Sequence, residues 1–356
     1  MVHASVTTEP RGHVLFSARF LLSAVVMGAC LALTLAILLV LAWAVGVSPW
    51  MVLATLLDGA AGSSVAAAAT AAEAVPIALT ALAFYIPYRT GFFNIGAQGQ
   101  LEIGALAAMF VVSVVSAPPA LTLLLALLAA AVAGALLIVP SVVLKNWRGA
   151  SEVTTTIMLN LVAVEFVMAM VSGPMRDVDA FYSTTVQVPE AMRLPGGSLH
   201  AGIWLTLALV VIVHWALKRT VFGFRLDAVG GNPLAAAVAG MPVRRVYFQA
   251  VLIGAAIGGL AGGIQVLGVL HQVAEGWSKP WGFTGILAAL LGGSPGGILV
   301  ASLLLAGLET GGRNMQAMTG VPAAMVYVLQ GLPVLFFLAL RAMPLVRFHL
   351  DRREGL

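Results

Sequence analysis

Three carboxylates, Glu102, Glu165 and Glu309, lie in long apolar stretches. An ionisable group in such surroundings is costly to keep and is a functional candidate by default. Glu309 has Arg313 four residues on, a helical ion-pair spacing, so a pair at the end of its segment competes with a role in a polar path. For Glu165 a protonated or interhelical hydrogen-bonded carboxyl competes with ligand contact. Glu102 adjoins a glycine-bounded break at 91–99, near the edge of its apolar run. A second set is uncharged: Asn94, Gln98, Gln100, Asn160, Gln265 and Gln330. Amides offer donors and acceptors without a fixed charge, as a neutral, hydroxyl-rich ligand requires. Their alternative use is to bond helix to helix, at under about 2 kcal/mol each. Nucleosides and sugars suit such a lining; zwitterionic amino acids suit it less, although helix ends can complement their charges. Phe92, Phe93, Trp277, Trp281 and Phe283 supply faces for stacking on a base or sugar, while a Trp at 277 or 281 also suits interfacial anchoring.

No catalytic residue and no metal ligand set is expected. The six histidines, His3, His13, His200, His214, His271 and His349, show no H-E-x-x-H pairing, and no nucleophile elbow is expected. One cysteine, Cys30, excludes an intrachain disulfide framework and a cysteine-based zinc site. The only lysines, Lys145, Lys218 and Lys279, are followed by Asn, Arg and Pro, so none belongs to G-x-x-x-x-G-K-[ST]. Any ATP hydrolysis therefore lies on another chain.

Elements that hold these groups must be helices in lipid. Of 356 residues, 61% are hydrophobic and 9% charged, too few charges for a water-facing surface. The longest intervals free of Asp, Glu, Lys and Arg run 38 residues after Arg19, 42 after Glu102, and 29 each after Arg245 and Lys279. A spanning helix takes about 20 apolar residues. The pattern predicts an all-α, polytopic membrane protein with about ten transmembrane segments, some short or broken. They centre on 20–47, 74–88, 95–116, 120–144, 153–172, 201–217, 246–270, 281–292, 297–312 and 321–340. Segment 281–292 is too short to span upright and reads as a half-helix or as continued by its neighbours. The run 20–47 is too long for a signal peptide and reads as an anchor. The Ala-rich stretch 58–73 reads as an external loop or surface helix. With the N-terminus inside, 14 basic residues fall in inner loops and 4 (Arg176, Arg193, Lys279, Arg313) in outer ones, as the positive-inside rule expects. Both termini are then cytoplasmic: a tail 1–19, one transmembrane domain 20–340 and a tail 341–356. The segment 173–200 becomes an external connection of mixed charge. Glycines 254, 258, 259, 262 and 263 provide a small-residue face for close helix contact.

The longest inner loop, 218–245, encloses a short helix near 234–239. Asn232 stands at its N-cap, Pro233 at its first position and Gly240 at its end, with Pro242 beyond. Two turns are not stable alone in water, so this helix packs on its own membrane domain or on a cytoplasmic partner. Its sequence, Arg225-Leu-Asp-Ala-Val-Gly-Gly-Asn-Pro-Leu-Ala-Ala-Ala-Val-Ala-Gly-Met-Pro-Val, resembles the coupling loop of ABC-importer permeases for sugars, nucleosides and branched-chain amino acids. Arg89-Thr-Gly-Phe-Phe-Asn-Ile-Gly-Ala-Gln-Gly-Gln100 and Glu152-Val-Thr-Thr-Thr-Ile-Met-Leu-Asn160 are similar to the nucleoside/simple-sugar branch. So are Gly282-Phe-Thr-Gly-Ile-Leu-Ala-Ala-Leu-Leu-Gly292 and Leu329-Gln-Gly331. Gln98 departs from the branch, which often carries Glu there.

The resemblance implies a type II ABC-importer-like permease of the bacterial cytoplasmic (inner) membrane. It also implies coupling to an ATP-binding subunit through Asn232, Pro233, Ala235, Ala236, Ala239 and Gly240, with a second permease, identical or paralogous, and an external substrate-binding protein. ATP and Mg would belong to the ATPase, leaving no cofactor on this chain, and no nucleic-acid polymer is expected as a partner. The substrate-path candidates are Phe93, Asn94, Gln98, Gln100, Glu102, Asn160, Gln265, Phe283 and Gln330. Branched-chain amino-acid or ribose-type permeases are the nearest alternatives; an ATP-independent carrier is a third, with Glu102 and Glu165 as its only candidate coupling acids.

Overall fold

The computed structural model describes residues 46–321 and a few isolated positions on either side. The expected spans 20–47 and 321–340, the tails 1–19 and 341–356, and Gln330 fall wholly or largely outside the described residues. The chain forms two compact units, 54–318 and the terminal stretches 1–53 with 319–356. The helix bundle and its cavity belong to the first.

Among the described residues there are eleven α-helices: α1 Pro49–Ala61, α2 Ser64–Tyr88, α3 Ala97–Val114, α4 Pro119–Arg148, α5 Glu152–Ser172, α6 Ala201–Arg219, α7 Val221–Gly231, α8 Pro233–Val238, α9 Val243–Gln265, α10 Trp281–Gly292 and α11 Pro295–Thr319. A π-helical turn, Val266–Leu270, extends α9. Seven helices (α2 to α6, α9 with its π turn, and α11) are long and apolar enough to cross a membrane.

Two expectations change. The stretch 58–73 is neither loop nor surface helix: Ser63 caps Ala66 N at 3.1 Å and starts α2 there. Alanine sustains a helix as well as any residue but carries little hydropathy, so the run hides the start of a long apolar helix and, near its middle, the buried Glu73. The inner loop 218–245 is almost wholly helical, being made of the end of α6, then α7, α8 and the start of α9.

Helix α9 is the most deeply buried span and α5 the least. α9 packs on α2, α3 and α4 through its glycine face. A methyl group on Gly254 would stand 2.7 Å from the Ala83 carbonyl, and one on Gly134 of α4 would stand 2.6 Å from that of Ala255. Backbones in such contact leave no room for Cβ, which is why small residues occupy the seam.

Two discontinuities interrupt the bundle. Residues 89–96 join α2 to α3 without helix, and 271–280 descend from the π turn to α10. The twelve residues of α10 span about 18 Å, short of the roughly 30 Å hydrocarbon core. Its first residue meets the middle of α2, where Thr80 Oγ1 donates to Trp281 O at 3.0 Å. Just beyond its end, Gly293 O accepts from Tyr85 OH at 3.1 Å. α10 is thus a half-helix starting inside the bundle. Its entry segment is strapped by the connection 173–200: Thr185 N donates to Val273 O at 2.9 Å, Val188 N to His271 O at 2.7 Å, and Leu194 N to Leu267 O at 2.9 Å.

Candidate functional site

Irregular backbone at membrane depth is tolerated where it is buried or lines a cavity, and the second discontinuity lines one. A half-open cavity of about 320 Å³ is walled by Gln98 and Glu102 from the first turns of α3, by Val164, Val167 and Met168 of α5, by 274–280, and by Phe283 of α10. Its volume lies at the lower end of the range for small-molecule sites.

Gln98 ties the walls together. Its Oε1 accepts from Gly282 N at 2.7 Å, and its Nε2 donates to Ser278 Oγ and to Lys279 O, each at 3.1 Å. A carboxylate cannot donate to the Lys279 carbonyl, so the amide suits this junction where glutamate would not. Glu102, only 4% exposed, accepts a hydrogen bond from the Ser278 hydroxyl. It shares the cavity wall with Val164, Val167 and Met168 of α5.

Beside the cavity, Lys279 Nζ contacts both oxygens of Glu73, at 2.9 and 2.7 Å, and Glu309 at 3.2 Å. Trp281 Nε1 donates to Glu73 at 2.6 Å and Arg313 Nη2 at 3.1 Å. The pairing Glu309–Arg313 read from the i+4 spacing is therefore not the one formed: each residue reaches across helices, Glu309 to Lys279 and Arg313 to Glu73. Glu73 went unrecognised because its stretch read as an external loop or surface helix. Trp281, read as an interfacial anchor, is buried with its N–H on that carboxylate.

Three of the amide candidates hold the break 89–96 in shape. Asn94 Nδ2 donates to Ala83 O at 3.1 Å while its Oδ1 accepts from Gly96 N at 3.0 Å and from Gln100 Nε2 at 3.2 Å. Asn160 accepts from Gly99 N at 2.8 Å and donates to Ile95 O at 2.9 Å. These bonds satisfy backbone groups freed by the loss of helix. Gln265 is buried where α9 turns π-helical, with Oε1 unpaired. Phe93 packs edge-on to Phe84, centroids 4.9 Å apart, and Phe92 is buried against Ile138 and Val142. Of the substrate-path candidates, Gln98, Glu102 and Phe283 line the cavity. Glu165 is exposed on the outward face of α5, beside Leu161, Val162 and Phe166.

At the opposite end of α10, Asn232 Oδ1 caps α8, accepting from Leu234 N at 3.1 Å and Ala235 N at 3.0 Å. Ala236 is 4% exposed and belongs to the core, whereas Leu234 is 80% and Val238 91% exposed. The expected contact residues thus divide: Ala236 faces the chain itself, while Pro233, Ala235, Ala239 and Gly240 are open. The apolar pair one turn apart is Leu234 and Val238. Behind α8, Asp227 of α7 is ion-paired to Arg89 at the end of α2, which anchors α7 to the break 89–96.

The family described as branched-chain amino acid transport system / permease component matches residues 66–338. The chain is 35% identical to the glucose ABC transporter permease protein of Haloferax volcanii over 75% of its own length and 74% of that protein. It is 34% identical to the guanosine ABC transporter permease protein of Bacillus subtilis over 80% of its length and 84% of that protein. Against the nucleoside ABC transporter permease protein of Lactococcus lactis the identity is 32%, over 75% and 77%. No solved structure matches significantly. The match spans α2 to α11, including both discontinuities and the short helices α7 and α8, and the chain belongs to this family of multi-pass ABC-transporter permease components of the cytoplasmic membrane.

Proposed function

We infer that this chain forms the translocation path of an ATP-driven importer for nucleosides or related simple sugars. The observation that carries the reading is the cavity where the non-helical segment 274–280 and the half-helix α10 meet α3 and α5. It combines aromatic and apolar walls with a few fixed polar groups, as expected for a small, ring-bearing cargo. The relatives whose printed cargoes are guanosine, nucleosides and glucose support the same class. A branched-chain amino acid fits less well. Its carboxylate needs a cation, and the cavity's ammonium, Lys279, is committed to Glu73 and Glu309.

In this reading the α8 end and both termini face the cytoplasm and the strap 173–200 faces outward. Leu234 and Val238 seat in an ATP-binding subunit, which holds ATP and Mg, and a second permease completes the path. An external binding protein delivers cargo at the strap end. Closure of the ATPases pushes α8; the push passes through α7 and the Asp227–Arg89 pair to the break 89–96, and so to Gln98 and the entry of α10. Uptake into proteoliposomes holding the reconstituted complex tests it. Uptake of labelled nucleoside or glucose should require ATP and the partner subunits. Uptake driven by a proton gradient alone would establish a carrier instead.

A further inference from the structure

Helix α6 packs on α2 and α7, and one stripe of it is exposed. Trp204, Val211, Ile212 and Trp215 lie along that stripe, and Lys218 and Arg219 continue it into the last turn. Their spacing keeps them on one helical face. The 19 residues of α6 rise about 28 Å, close to the thickness of the hydrocarbon core. The two cations therefore stand at headgroup level, where the apolar stripe ends. Helix α7 leaves the axis of α6 at Thr220, whose backbone is extended (φ −121°, ψ 160°). It is pinned at both ends. A methyl group on Gly223 would overlap the Leu217 carbonyl near the end of α6, and one on Gly230 the Arg89 carbonyl at the end of α2. Only about 10 Å of helix separates the two pins, so both spans end on one membrane face and α7 lies along it. Gly223, Leu226 and Val229 are buried, while Val221, Phe224 and Arg225 share the opposite, exposed face. Among the described residues Lys218, Arg219 and Arg225 form no ion pair, and the carboxylate of α7, Asp227, is taken by Arg89.

A lipid-facing stripe that ends in cations, continued by a surface helix with its own exposed aromatic and cation, suits a corner seated among headgroups. Tryptophan favours that level, and basic residues there attract anionic lipid. We propose that the corner between α6 and α7 is a binding site for an anionic phospholipid. Lys218, Arg219 and Arg225 hold its phosphate, while Trp215, Val221 and Phe224 pack on its glycerol and upper acyl chains. Lipid is the occupant because the cations continue an apolar, lipid-facing stripe. A soluble anion would use the cations and leave Trp215, Val221 and Phe224 in water. The site is separate from the cavity and requires only that α6 spans the membrane, whatever the cargo.

The experiment reads Trp215 in the full-length protein in phosphatidylcholine vesicles, as the difference in tryptophan emission between wild type and Trp215→Phe. A small fraction of the lipid is replaced by brominated phosphatidylglycerol or brominated phosphatidylcholine, each of which quenches an adjacent indole. Phosphatidylglycerol should be preferred at the corner by about tenfold to a hundredfold, roughly fivefold per cation. The preference should vanish when Lys218→Gln, Arg219→Gln and Arg225→Gln are combined, and Arg225→Gln alone should cut it several-fold. Arg148→Gln, which removes an exposed charge from the end of α4, should leave it unchanged. All the substituted cations are exposed, so folding is retained, and gel filtration checks this. Equal quenching of the wild type by the two lipids would overturn the site. An equal loss in Arg148→Gln and Arg225→Gln would replace it by an effect of net charge. Displacement by millimolar inorganic phosphate would assign the cations to a soluble anion instead. Persistence of the preference after the ATP-binding subunit is added supports lipid, whereas its loss would assign the corner to that subunit.

Discussion

Glu73 shows how far a single side chain escapes pattern reading. Its carboxylate accepts from Lys279, Trp281 and Arg313, and so joins α2 to the entry of α10 and to α11. Nothing in the spacing of 58–73 signals this, because the partners lie more than two hundred residues away. Removing one member of a buried ion pair strands the others, here softened by the partial exposure of Lys279 and Arg313. Glu73→Gln should therefore destabilise by about 2–3 kcal/mol, read as thermal unfolding in detergent, and Glu73→Gln with Lys279→Met should recover part of it. A variant as stable as wild type would show the network to be passive. His200 gives a second test. It is 1% exposed, both ring nitrogens lack partners, and it is wedged between the backbones of Gly202 and Gly268. Burial, then His271 nearby, pushes its protonation below the usual histidine range; burial, then Arg193, does the same for His271. Both are neutral when folded, so the unfolded chain takes up protons first as the pH falls through about 6.5. Stability should decline from there downward until the pH passes below the folded values. His200→Gln should flatten the decline between pH 7 and 5, and a wild-type profile already flat would contradict it.

The short helices carry the lesson at the scale of elements. The cap and stop residues of α8 were legible in Asn232, Pro233 and Gly240, and the structure forms that helix with Asn232 as its cap. Which face it shows was not legible, because six residues have too little periodicity to separate Ala236 from its neighbours. The exposed pair, Leu234 and Val238, now sets the prediction. Leu234→Glu with Val238→Glu alters only exposed positions and should change stability by under about 1 kcal/mol. It should nonetheless reduce ATP-driven uptake by at least about tenfold, since two charges enter an apolar contact. Uptake and ATPase stimulation, measured on the same purified complex, separate the two effects; wild-type uptake would remove α8 from the coupling face. The half-helix α10 was legible from its length. The reason it starts inside the bundle was not, since that depends on Gln98 bonding Gly282 N and Lys279 O from another helix.

For the whole molecule, the apolar segments expected between 74 and 312 are helices in the structure, whereas α1, the start of α2 and α7 were not foreseen. Charge-free length and glycine spacing report on lipid and close packing, which are local matters. The cavity is not local: it joins α3, α5, α10 and the segment 274–280, and only Gln98, Glu102 and Phe283 among the substrate-path candidates reach it. The half-helix also bears on biogenesis. A segment is accepted into the bilayer on its own length and hydrophobicity as it leaves the ribosome. α10, with twelve residues, cannot satisfy that test, and its entry segment 271–280 is held by a strap made earlier in the chain. α10 must then enter as a hairpin with α11, after the strap has been made. Nascent chains stalled so that only residues up to 293 have emerged should leave 271–293 accessible to a membrane-impermeant cysteine reagent, whereas those stalled beyond 320 should protect it. The protein's path would then be completed by its last spans rather than assembled in the order it is synthesised.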